Sequence, residues 1–168
     1  MPYCVKCGKM LIERACEGEP ALIPYCPHCE EFRFETFNVA VCTAAFSPDQ
    51  TRILMMRQYG REKYNFLAGY VNKGESAEEA LEREMLEEMN LVATKKEFLY
   101  TAYFAKSNTL MLNYRTVVST DALTGQNKKE VDDVKWFTYA EATRFVIPGS
   151  LAEKLLISLK DRFLISTP

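Results

Sequence analysis

From residue 36 onward, apolar and polar positions group into short strand-like runs. TFNVAVCTAAF (36–46) and, after the turn SPDQ, TRILMMR (51–57) read as strands. A short apolar run, YNFLAG (64–69), leads into a loop at Gly69. A helix then starts at Ser76, where Ser76 and Glu79 form an S-x-x-E capping box and Ala80, Leu81 and Met85 an apolar stripe. KEFLYTAYF (96–104) and TLMLNYRTVVST (109–120) predict two more strands. The polar stretch DALTGQNKKEVDD separates them from a last strand, VKWFT. Two helices close the chain: YAEATRFV, capped by Thr138 with Glu141, and LAEKLLISLKDRFL, capped by Ser150 with Glu153, with IPG between them. The pattern predicts an α/β (α+β) chain, a mixed sheet with helices packed on it.

Residues 1–35 break this pattern. They hold five of the six cysteines and four of the seven prolines. We therefore divide the chain into a module at 1–35 and a larger domain at 36–168. Its 168 residues suffice for one sizeable core plus such a module. A net charge of −2 lacks the basic footprint of a duplex-nucleic-acid binder, while leaving open a nucleotide handled through metal ions. No apolar stretch reaches the length of a membrane span, so no membrane association is expected. MPYCVKCGKM carries no long apolar run, which predicts no secretory leader and a cytoplasmic protein.

Cys4-x2-Cys7 and Cys26-x2-Cys29 flank eighteen residues, a spacing typical of zinc sites. Two knuckles converging four thiolates on one Zn2+ would form a closed tetrahedral structural site. Disulfides are the competing reading, and a cytoplasmic chain disfavours them. Cys16 and Cys42 fit neither knuckle and read as incidental or buried thiols, and His28 as a bystander.

Seven of the fourteen residues from Glu75 to Glu88 are acidic, opposed only by Arg83. Glu84, Glu87 and Glu88 stand at i, i+3 and i+4, on one helix face. Three such carboxylates repel unless compensated, and a hard divalent cation, Mg2+ or Mn2+, is the natural compensation. Arg83 is placed to pair with Glu75 or Glu87, and Glu78 and Glu82 read as solvated acids. A wholly solvated acidic face is the alternative.

Gly69, five residues, Glu75, seven residues, then REMLEEMNL (83–91): this resembles the Nudix box, G-x5-E-x7-R-E-U-x-E-E-x-G-U, where U is bulky and apolar. Asn90 stands where the family has Gly, and Asn is the next most tolerant helix-stop residue. The resemblance implies an α/β/α Nudix sandwich and a metal-dependent pyrophosphohydrolase acting on nucleoside-diphosphate-linked substrates. It implies Glu84, Glu88 and the Ala68 carbonyl as metal ligands, Glu87 as a further ligand or the base, Arg83 as orienter and Glu75 as support of the helix junction.

A four-cysteine zinc ribbon before such a domain is similar to the NADH pyrophosphatase branch, as are FLAGYVNKGES, TLML, EVDDVKWF and IPGSLAEKLL. That resemblance adds Glu130 as a candidate metal ligand, with a plain loop carboxylate as the alternative. It adds Tyr70 as a base-stacking aromatic and implies a homodimer. The branch's Ser-Gln-Pro-Trp-Pro-Phe-Pro stretch is replaced here by TAYFAKSN (101–108). Tyr103 and Phe104 there supply base-stacking surface or strand core. NAD(H) leads as substrate, and RNA bearing an NAD cap offers the same bond. ADP-ribose, nucleotide sugars, or a non-catalytic binding module are the alternatives.

Overall fold

The computed structural model describes residues 2–124 and 131–160. The chain forms two compact units, Met1–Phe37 and Asn38–Pro168.

The first unit is built on three short antiparallel strands, β1 (Ile12–Ala15), β2 (Leu22–Cys26) and β3 (Glu31–Phe32), with β2 central. Ile12 pairs with Tyr25, and Tyr25 with Phe32. The first cysteine pair lies in a turn closed by Gly8 N–H to the Cys4 carbonyl at 2.8 Å. Cys26 ends β2, and Cys29 lies in the β2–β3 turn. These strands are absent from the sequence expectation, which saw only the cysteine knuckles.

The second unit centres on β4 (Asn38–Phe46). β5 (Ile53–Arg57), β6 (Leu67–Tyr70), helix α1 (Ala77–Met89), β7 (Ala93–Phe104), β8 (Thr109–Val118), β9 (Asp133–Phe137) and helices α2 (Tyr139–Phe145) and α3 (Leu151–Ser158) follow. The sheet order is β7-β8-β4-β5-β9, with β6 also on β4. β8 runs parallel to β4 along its whole length; the other pairings are antiparallel. β8 fills one edge of β4, so β5 and β6 share the other: β5 at Ala45–Phe46, β6 at Ala40–Thr43.

Both faces of the sheet are covered, which is why β4 is almost wholly apolar. Val41 and Ala45 face one core with Leu54, Met56 and Leu67, sealed by Ala80, Leu81, Met85 and Met89 of α1. Cys42, Ala44 and Phe46 face the other, with Ile53, Met55 and Ala142, Leu155 and Leu156 of α2 and α3. This is an α/β/α sandwich around a mixed sheet. All three helices begin at the predicted caps, Ser76, Thr138 and Ser150. The expected extension of the last helix beyond residue 160 falls outside the described residues. Among the described residues no helix is long and apolar enough to cross a membrane.

Candidate functional site

β6 delivers the chain to α1. Gly69 lies within β6, opposite Val41, rather than in the loop expected from sequence. The turn comes later, at Asn72–Glu75, where Gly74 adopts φ +88° and Glu75 N–H donates to the Asn72 carbonyl at 3.1 Å. Gly69 is needed for closeness instead: a Cβ there would stand 1.9 Å from Cδ of Glu84. The Glu84 carboxylate thus lies directly against the β6 backbone at Gly69.

Arg83 organises the surrounding acids. Its Nε and Nη2 donate to the two Glu75 oxygens at 2.7 and 3.1 Å. Nη1 donates to Glu84 Oε1 at 2.7 Å and to Glu87 Oε2 at 3.2 Å, and Nη2 also reaches the Tyr70 carbonyl at 2.9 Å. One guanidinium therefore ties three carboxylates and the end of β6 into a single body, a geometry lysine cannot supply. Glu75 also accepts from Asn72 N–H at 2.9 Å, so Arg83 first and then this backbone donor hold its carboxyl below the usual value. Glu84 is mostly buried, Glu87 exposed, and Glu88 buried at 7 %. The Glu84 carboxylate lies against a strand backbone that a side chain at Gly69 would obstruct, and Arg83 joins Glu87 to it; hard carboxylate oxygens are the donor type that Mg2+ and Mn2+ take.

Other acids on α1 are not simply solvated. Glu78 accepts from the Tyr114 hydroxyl at 2.8 Å, and Glu82 pairs with Lys96. Burial, together with Glu78, pushes the Tyr114 phenol up to about 12. Asn90 ends the helix at φ +53°, its N–H bonded to the Leu86 carbonyl, as expected of a left-handed stop. Its Nδ2 does more, donating to the Thr124 carbonyl at 3.1 Å.

The sheet register places the aromatic candidates. Gly69, Val41, Leu112 and Thr101 form one row across β6, β4, β8 and β7, on the α1 side. The next row is Tyr70, Ala40, Met111 and Ala102, on the opposite side. Tyr103, paired with Leu110, returns to the α1 side, and Phe104, paired with Thr109, lies with Tyr70. All three aromatics therefore sit at one end of the sheet, divided between its faces. Tyr70 is 54 % exposed, Tyr103 57 % and Phe104 38 %, so strand core is not their role.

TAYFAKSN closes the β7–β8 hairpin through a 3-10 turn at Ala105–Ser107, with Asn108 at φ +49°. Tyr103 donates its hydroxyl to Asn108 Oδ1, and Asn38 ties the corner to β4 through the Asn108 and Ser107 carbonyls at 2.9 and 3.2 Å. Sequence reading missed Asn38 and Asn108; an Asn ahead of a strand run was the available turn signal. Glu130 lies outside the described residues.

In the first unit, the sulfurs of Cys4, Cys7, Cys26 and Cys29 all lie within 4.8 Å of one another, the only such cluster of metal-ligand types among the described residues. Cys4–Cys29 and Cys7–Cys26 are 4.0 and 3.5 Å apart. A tetrahedral zinc site with Zn–S bonds of about 2.3 Å has edges of about 3.8 Å, so the cluster fits Zn2+. Arg33 Nε donates to the Cys4 sulfur at 3.3 Å. Cys16 and Cys42 stand apart from it; Cys42 is fully buried, which pushes its thiol up to about 12.

Comparison with known proteins places this geometry. Proteins named NAD-capped RNA hydrolase NudC are similar to the chain. The one from Stutzerimonas stutzeri is 26% identical over 135 residues, 80% of this chain and 47% of the relative. The one from Pectobacterium carotovorum is 22% identical over 154 residues, 92% and 57%. The chain thus spans about half the length of these curated relatives. Among solved structures, a NUDIX hydrolase from Nitrosomonas europaea shares the fold with a TM-score of 0.69 at 20% identity, covering 100% of this chain and 95% of that one. The NUDIX domain of Shewanella oneidensis NrtR, complexed with ADP ribose, gives 0.62 at 20% identity, covering 82% and 93%. The NUDIX domain model matches residues 36–155, which takes in β4, β6, Gly69, Arg83 and the α1 carboxylates, and the chain belongs to that family.

Proposed function

We propose that the second unit is a metal-dependent pyrophosphohydrolase that cleaves the diphosphate of a nucleoside-diphosphate-linked substrate, with NAD(H) the leading candidate. The observation that carries this reading is the Glu84 carboxylate seated against Gly69 and clamped by Arg83, which also grips Glu75, Glu87 and the Tyr70 carbonyl. Glu84, Glu88 and the Ala68 carbonyl would hold Mg2+ or Mn2+, with Glu87 and Glu130 as further candidates. The ion, when bound, neutralises the diphosphate and lowers the pKa of an attacking water.

The chain's own residues do the rest. Arg83 and Glu75 fix the carboxylates in place without occupying every oxygen, since Nη1 takes one oxygen each of Glu84 and Glu87. Glu87, the most exposed of the three at 59 %, can receive a proton from water arriving from solvent. Tyr70, Tyr103 and Phe104 offer exposed rings at the sheet end, suited to stacking on a base or nicotinamide. The four cysteines would hold structural Zn2+ in the first unit, in keeping with the reducing cytoplasm. Homodimerisation is carried over from the family branch.

NAD is preferred because the curated relatives are named for NAD-capped RNA, and such RNA presents the same bond. TAYFAKSN in place of the branch's own stretch keeps ADP-ribose and nucleotide sugars as the second reading. Purified protein with Mg2+ or Mn2+ should be offered NADH, NAD, NAD-capped RNA, ADP-ribose, diadenosine compounds and nucleotide sugars, with products separated by chromatography. Release of a nicotinamide mononucleotide and AMP, faster than any other turnover, is expected. Preference for ADP-ribose would support the second reading, and no turnover of any of them would leave a non-catalytic binding module.

A further inference from the structure

Arg33 lies one residue past β3, and its N–H donates to the Pro24 carbonyl at 2.6 Å, prolonging the β2–β3 pairing. That backbone bond aims a side chain only 17 % exposed at the cysteine cluster. Nε donates to the Cys4 sulfur at 3.3 Å. Nη1 pairs with Glu31 at 2.7 Å and donates to the Phe32 carbonyl at 3.0 Å. Nη2 is buried with no hydrogen-bond partner among the described residues. Glu31 also holds the exposed Lys6 at 3.0 Å, so Lys6, Glu31, Arg33 and Cys4 form one chain of contacts ending on sulfur.

We propose that Arg33 is a positioning residue of the zinc centre: it holds the Cys4 thiolate by a charged hydrogen bond, offsets the cluster's negative charge and slows release of the ion. The inference rests on the reading that the four cysteines hold Zn2+. Four thiolates around one Zn2+ leave a double negative charge, and a partly buried site needs compensation close by. Lys6, 64 % exposed and reaching only Glu31, is screened by water. Among the described residues Arg33 is the cation that donates to a ligand sulfur, and groups bonded to ligands commonly tune metal retention about tenfold or more. A donor bonded to sulfur also lowers the energy of its lone pairs, so its loss leaves that thiolate more easily protonated off the metal and more reactive.

The test uses the full chain loaded with Zn2+ and follows transfer of the ion to a chromogenic chelator. Arg33→Met is expected to release zinc at least tenfold faster than wild type. Arg33→Gln, which keeps an N–H donor without charge, should fall between them, and it carries the comparison if Arg33→Met does not fold. Lys6→Met should stay within twofold of wild type. With Co2+ in place of Zn2+, the thiolate-to-metal charge-transfer band should move to lower energy in Arg33→Met, a change that loosened packing alone would not produce. Wild-type release rates and an unshifted band in Arg33→Met, or equally fast release from Lys6→Met, would overturn the proposal. Wild type that takes up no zinc with its thiols reduced would instead refute the zinc reading beneath it.

Discussion

A methyl group on Gly69 would collide with the Glu84 carboxylate, the movable end of a side chain, and not with backbone. Gly69→Ala should therefore fold normally and push Glu84 off β6. We expect activity to fall on the order of 100-fold, because displacements of about 1 Å at a reacting centre cost that much. The thermal midpoint should move by only a few degrees. Wild-type turnover in this variant would show that contact between Glu84 and β6 is not needed. At this scale the box itself was legible: Gly69, Glu75, Arg83, Glu84, Glu87 and Glu88 stand at fixed spacing. The reason for Gly69 was not, because spacing cannot tell a loop glycine from one that lets a carboxylate touch a strand. Glu78 was likewise read as solvated, since its partner Tyr114 is 36 residues away in sequence.

The elements show where pattern reading works. Helix starts were legible because the capping residues lie within four positions of one another, as in Ser76 with Glu79. β7 starts at Ala93, three residues earlier than its pattern suggests, because register shifts at Ala93/Lys95 and Phe98/Tyr100 break its alternation. β1–β3 were missed because they are two to five residues long and stand in a segment dominated by cysteines and turns. Asn90 is a case where one residue does two jobs. Asn90→Gly keeps the left-handed stop and loses the bond to Thr124, so its stability should stay within about 1 kcal/mol of wild type. Asn90→Ala loses the bond too and keeps a Cβ in the left-handed region without the polar side chain that lets Asn tolerate it, which should cost about 1 kcal/mol more than Gly. Urea unfolding checks the order, and a variant with Ala as stable as the one with Gly would contradict it.

On the scale of the molecule, the apolar run of β4 was legible as a strand, but neither its burial on both faces nor its neighbours were. Parallel pairing with β8, with β5 and β6 dividing the other edge, is a long-range outcome that periodicity does not encode. That arrangement brings Tyr70 and the TAYFAKSN corner to one end of the sheet, with Tyr103 on the side of Glu84 and Tyr70 with Phe104 on the other. The cysteine cluster was legible because two short knuckles at zinc spacing need little beyond a hairpin to meet. The most direct test of the account is NADH turnover with saturating Mg2+, wild type against Glu88→Gln, with Mn2+ binding measured on both proteins. Metal-dependent cleavage to a nicotinamide mononucleotide and AMP is expected in wild type. In the variant a loss of about 100-fold or more is expected, together with weaker Mn2+ binding. Equal turnover and equal Mn2+ affinity in the two would contradict it.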